Sequence, residues 1–95
     1  MMHRQVVIRG RVQGVGSRAF VLTHAGARGL QAWVRNLYGG SVEAMFSGSG
    51  PAIDSMIAVC REGPPGASVD VIEERAANVE DIDRARGGFS VLPTA

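Results

Sequence analysis

An alternating apolar run ends at Val12-Gln13-Gly14-Val15-Gly16-Ser17-Arg18, and a helical pattern starts directly after it. That junction constrains the fold more than any other stretch. A strand that turns through two glycines into a helix aims consecutive backbone N–H groups at one spot, at the positive end of the helix dipole. Gly14 and Gly16 can take positive φ and carry no side chain, so the backbone can close around an anion. Arg18 adds a planar guanidinium able to bind two oxyanions at once. These residues suit a phosphate or carboxylate cradle. The glycines alone better suit an ordinary strand–helix turn followed by an exposed arginine. Two nucleotide loops are excluded: no Gly-Lys-Ser/Thr follows, and Ala19 stands where a dinucleotide fingerprint has its third glycine.

The rest of the chain follows from periodicity. Residues 5–12 read as a strand with Val6, Ile8, Gly10 and Val12 on one face. Gln5, Val7, Arg9 and Arg11 form the other face, expected to be mostly solvated. Residues 19–28 read as a helix with Phe20, Val21 and Ala25 toward the core and Gly29 as its stop; Gly26 inside it costs about 1 kcal/mol relative to alanine. Strands over 30–36 and 41–47 are joined by a turn at Leu37-Tyr38-Gly39-Gly40. Val42, Ala44 and Phe46 alternate with Ser41, Glu43 and Met45, which predicts a half-buried strand. Gly50-Pro51 opens a second helix whose buried stripe is Ile53, Met56, Ile57 and Cys60. Gly63-Pro64-Pro65-Gly66 breaks it. Residues 67–72 predict a strand with Val69 and Val71 on one face, residues 73–86 an exposed excursion, and residues 88–92 a short last strand. The order βαββαβ is that of an α+β, ferredoxin-like split-βαβ sandwich, with two helices on one face of an antiparallel sheet.

Ninety-five residues make a single domain, 1–95, with one modest core. A net charge of +1 exerts no global pull on nucleic acid or anionic membrane, so an anion site has to be local. Sheets that bind single-stranded RNA need two or three exposed aromatics, and this chain has few; Trp33 reads as packing. No nucleic-acid or membrane partner is expected. Cys60, the single cysteine, forbids an intrachain disulfide and reads as a core thiol. His24 has no Cys, Asp or second His near it in sequence, so neither a metal nor a cofactor is expected. With no signal peptide and no apolar run of about eighteen residues, a cytoplasmic location is the expectation.

Val12-Gln13-Gly14-Val15-Gly16 with Arg18, then Gly29-Leu30, Trp33-Val34-Arg35-Asn36 and Gly40-Ser41-Val42-Glu43, run in a distinctive order and spacing. Gly48 and Gly63-Pro64-Pro65 with Ala67 and Val69 continue it. On these residues the chain resembles the acylphosphatase family, from the first strand through the fourth. The resemblance implies an enzyme that hydrolyses the carboxyl–phosphate bond of acyl phosphates without a metal. It implies that Arg18 and the loop amides of about residues 15–18 hold the phosphoryl oxygens. Gln13, Gly14, Val15, Gly16, Ser17 and Arg18 are then the phosphate-binding positions. Arg18 and Asn36 are the catalytic ones, with Asn36 orienting the attacking water. A small acyl phosphate is the expected substrate, inorganic phosphate or sulfate the product-like ligand, and a monomer the expected state.

That chemistry suits such a site. An acyl phosphate is already activated, so positioning and electrostatics can do most of the work, and a neutral amide can both accept from and donate to a water. Two residues depart from the family's pattern near the site: Ser17 stands where phenylalanine is usual, and Leu37 where threonine is common. The Ser17 hydroxyl is a candidate helix-capping acceptor. An anion-binding module of the same fold with weak or no turnover is the alternative function.

Overall fold

The computed structural model describes residues 1–85 and 87–95. The first strand, β1 (Met2–Arg11), lies between β3 (Val42–Gly48) and β4 (Ser68–Arg75), antiparallel to both. β2 (Gln31–Asn36) pairs antiparallel with the other edge of β3, and β5 (Phe89–Val91) adds parallel to β2. The sheet order is therefore β4-β1-β3-β2-β5. This is the expected ferredoxin-like arrangement, made mixed by its one parallel edge. α1 (Ser17–Ala27) and α2 (Gly50–Glu62) cover one face. Val21 and Ala25 of α1 and Ile53, Met56, Ile57 and Cys60 of α2 pack there against Val6, Ile8, Val34, Ala44 and Phe46. Apolar burial on that face is the main force holding the layers together. Burial also pushes the Cys60 thiol up to about 12, as befits a core residue. No helix among the described residues is long and apolar enough to cross a membrane.

The second face departs from expectation. Residues 73–85, expected as an exposed excursion, are mostly exposed but regularly folded: they complete β4 and form α3 (Val79–Arg84), while Arg86 lies outside the described residues. Trp33 and Met45 alternate with core-facing neighbours, so both point to this side, and both are fully buried beneath Ala85, Ala77 and Leu92. A buried indole needs an acceptor, and the Trp33 Nε1 donates to the Asp81 carbonyl at 2.7 Å. Asn78 and Asp81 close the start of α3 as a capping box. With both faces covered, β3 is buried almost throughout instead of half-buried, and Gln5 and Val7 are buried as well. The Glu43 carboxylate on this side accepts from Gln5 Nε2 at 2.7 Å and pairs with Arg35 at 2.7 Å. Only Arg9 and Arg11 remain exposed as expected. The hydrogen bonds from Arg9 and Arg75 hold the Glu73 carboxyl below its usual range.

β4 also corrects the predicted alternation. Arg9 pairs with Val71 but Gly10 with Val69, so Asp70 is an extra residue in a β-bulge. The bulge reverses the facing of everything after it. Val69 and Ile72 pack on the core, whereas Val71 is half-exposed.

Candidate active site

β1 ends at Arg11, Val12 plugs its side chain into the core, and the chain turns toward α1. Gly14 (φ 77°) and Gly16 (φ 84°) are both left-handed, and a Cβ on either would meet nothing within 4 Å. Backbone conformation, not crowding, is what asks for glycine here. Gly16 is the N-cap of α1, whose first turn has no acidic residue and no side-chain cap. The first helical bond of the turn runs from Phe20 N to the Gly16 carbonyl at 3.0 Å. The amides of Ser17, Arg18 and Ala19 therefore precede the helical ladder, at the positive end of the dipole.

Ser17 does not cap α1 as an acceptor. It is the first helical residue, and its hydroxyl donates to the carbonyl of Val12, which lies beyond the last paired residue of β1. An otherwise unpaired strand-end carbonyl accepts this hydrogen bond, and the helix amides stay uncapped.

A cavity of about 390 Å³ opens between this turn, α1, the end of β2 and β5. It is lined by every expected site residue except Val15: Gln13, Gly14, Gly16, Ser17, Arg18 and Asn36. Val15 leans toward the 63–66 turn, its Cγ1 3.7 Å from where a Gly66 Cβ would sit. Three apolar lining residues were not anticipated. Ala19 and Leu22 were legible in principle, since Leu22 lies one helical turn after Arg18 on the same face. Val91 arrives from β5, and no local pattern announces it.

The polar groups in the cavity differ in their commitments. Most other arginines have partners, as Arg9 has Glu73 and Arg35 has Glu43, although the exposed Arg11 at the end of β1 has none among the described residues. Arg18 is exposed and has no ion-pair or hydrogen-bond partner among the described residues. The Asn36 side-chain amide is likewise unpartnered among them, although its backbone is held by the Val42 pairing and by Ala95 N at 3.1 Å. Gln13 is the reverse: its Nε2 donates to the carbonyls of Leu37 at 2.7 Å and Ser41 at 2.9 Å. His24 packs on Phe20, ring centroids 4.3 Å apart, and no group of three or more His, Cys, Asp or Glu among the described residues is placed to hold a metal ion. One free guanidinium, uncapped helix amides and one free neutral amide around an open cavity suit a tetrahedral oxyanion with a water beside it.

The space behind Ser17 decides what phenylalanine would do there. A narrow void among Ile8, Val12, Ser17, Phe20, Val21 and Cys60 measures only about 10 Å³, scarcely one water. There is no room for a ring on that side of Ser17. Ser17→Phe is therefore expected to overpack, costing about 1–3 kcal/mol, with Tm falling by about 4–8 °C for each kcal/mol. Thermal unfolding checks this, and a rise in Tm would contradict it.

The acylphosphatase family model matches residues 4–91. An acylphosphatase of Bradyrhizobium diazoefficiens is 51% identical over 92 residues, covering 95% of this chain and 93% of that protein. Among solved structures, the acylphosphatase from Bacillus subtilis superposes with a TM-score of 0.84 at 32% identity, covering 97% of this chain and 99% of the other. An acylphosphatase from Coxiella burnetii superposes with a TM-score of 0.85 at 33% identity, covering 96% and 92%.

Proposed function

Because the chain belongs to the acylphosphatase family, and is thus an enzyme acting on small-molecule acyl phosphates, we propose that its cradle and Asn36 divide the reaction between them. Arg18 and the amides of about residues 15–18 hold the phosphoryl oxygens. Asn36 accepts a hydrogen bond from the attacking water through Oδ1 and holds it in line with the scissile bond. The water oxygen bonds to phosphorus as the bond from phosphorus to the acyl oxygen breaks. The bonding pair leaves on the carboxylate, and the water's proton ends on phosphate. No covalent nucleophile is required, because the leaving group is a weak base and the phosphoryl charge is met by fixed donors.

What carries this reading is one observation: the unpartnered guanidinium of Arg18 and the unpartnered amide of Asn36 line the same cavity as the uncapped start of α1. In a folded domain, polar groups left without partners beside a cavity are candidates to receive a ligand. On the same reading the chain works as one domain and a monomer in the cytoplasm, and its product, inorganic phosphate, binds weakly.

Phosphate release from acetyl phosphate, with and without chelator, tests the proposal. The rate is expected to be unchanged by chelation, with added inorganic phosphate inhibiting competitively. Abolition by chelator with restoration by zinc or magnesium would sink the metal-free mechanism. Phosphate binding without turnover would favour the anion-binding module instead.

A further inference from the structure

We infer that Gln13 is a positioning residue that ties the Asn36 end of β2 to the phosphate cradle, an inference that rests on Asn36 orienting the water. The Gln13 backbone belongs to the cradle turn, but its side chain faces away from that task. Nε2 donates one proton to the Leu37 carbonyl at 2.7 Å and the other to the Ser41 carbonyl at 2.9 Å. Both acceptors are carbonyls, so the amide nitrogen and not the oxygen must face them. Those carbonyls form the base of the turn that follows Asn36: Leu37 N donates to Ser41 O at 2.9 Å, and Gly40 N to Leu37 O at 3.0 Å.

The placement matters because the β1–β3 ladder ends at the Ile8–Val42 pair. Beyond it, the cradle turn and the Asn36 turn are separate walls of one cavity, and the Gln13 amide bridges them. In-line attack depends on the distance between a phosphoryl group held on one wall and a water held on the other. Small misplacements there are costly, on the order of 10²-fold per ångström. Gln13 holds that distance while leaving phosphate affinity to the cradle.

The test uses Gln13→Met, which keeps length and loses both donors, and Gln13→Glu, each alone and the first also combined with Asn36→Ala. Acetyl phosphate is the substrate and inorganic phosphate the inhibitor, with thermal melts reporting folding. Gln13→Met is expected to lower kcat roughly 10- to 100-fold and to leave the phosphate Ki near wild type. In the Asn36→Ala background it should cost little more, since no oriented water is left to misplace. Gln13→Glu turns acceptors toward carbonyls at neutral pH. As pH falls and the carboxyl protonates, one donor returns, so its kcat should recover on the acid side relative to wild type.

A raised phosphate Ki with unchanged kcat in Gln13→Met would make Gln13 a ligand-binding group and overturn the inference. So would an equal kcat loss with and without Asn36. If Gln13→Met does not fold, the absence of acid-side recovery in Gln13→Glu overturns it alone. Wild-type kcat in the single Asn36→Ala variant would instead overturn the underlying role of Asn36, and this inference with it.

Discussion

Asn36→Ala is expected to lower kcat by about 10²- to 10³-fold while inorganic phosphate binds near its wild-type strength. The strand should survive, because Asn36 pairs with Val42 through backbone and its side-chain amide supports nothing else among the described residues. Losing it removes an interaction made with the water and not with the bound phosphoryl group, which separates kcat from affinity. Arg18→Ala should behave differently. On its proposed role that guanidinium meets phosphoryl oxygens in ground and transition states alike, so KM should rise and kcat fall together. Arg18→Lys should rescue poorly, since a point charge does not reproduce the planar fork. Arg18 is exposed and unpaired, so its loss should not register as unfolding. The comparison needs kcat, KM and phosphate Ki for each variant, with folding followed by circular dichroism. A folded, fully active Asn36→Ala, or an Arg18→Ala that holds phosphate as tightly as wild type, would defeat the assigned roles.

The largest effect on stability is expected away from the site, at Gly10. It stands at the β-bulge with φ 132°, and a Cβ there would run into the Ser68 carbonyl and lie 2.8 Å from Asp70 N. Both obstacles are backbone of a paired strand, which cannot rotate away as a side chain can. Gly10→Ala thus combines a nearly glycine-only conformation, about 1–3 kcal/mol, with overpacking of about the same size. The sum, about 2–6 kcal/mol, is a large part of the 5–15 kcal/mol typical of a small domain. Tm should fall by roughly 8 °C or more. Gly39→Ala is the control: nothing lies within 4 Å and φ is not positive, so it should be neutral within about 0.5 kcal/mol. Similar melting of the two variants would refute the account of the bulge.

The candidate site was largely legible along the chain, because most of it is one contiguous turn. Gly14, Gly16 and Arg18 are close in sequence, and the conformation of the turn is set by its own backbone. Asn36 was found through a resemblance, since an asparagine before a turn does not by itself suggest catalysis. Gln13 was named as a phosphate-binding position, but the carbonyls its side chain serves are 24 and 28 residues away. No local pattern encodes that.

The same division holds for the fold. Period-2 and period-3.6 patterns reflect a side chain's own backbone, so they sufficed for the first four strands, α1, α2 and the helix-covered core. What they could not show was what lay opposite. Trp33 and Met45 are plain in the alternation, yet only the chain's return over the second face as α3 buries them and makes β3 central. Val71 reads as sharing a face with Val69 until the Asp70 bulge, opposite Arg9 and Gly10, turns it outward. Gly26 reads as a flaw in α1, whereas the folded chain lays Phe89 across it, 3.3 Å from where a Cβ would be. Periodicity is carried by neighbours in the chain; burial, bulges and close approach are set by partners distant in it. That is why the sequence alone determined the strands, the two main helices and the glycine turn, and only the tertiary structure decided the second core, the register of β4 and the far wall of the candidate site.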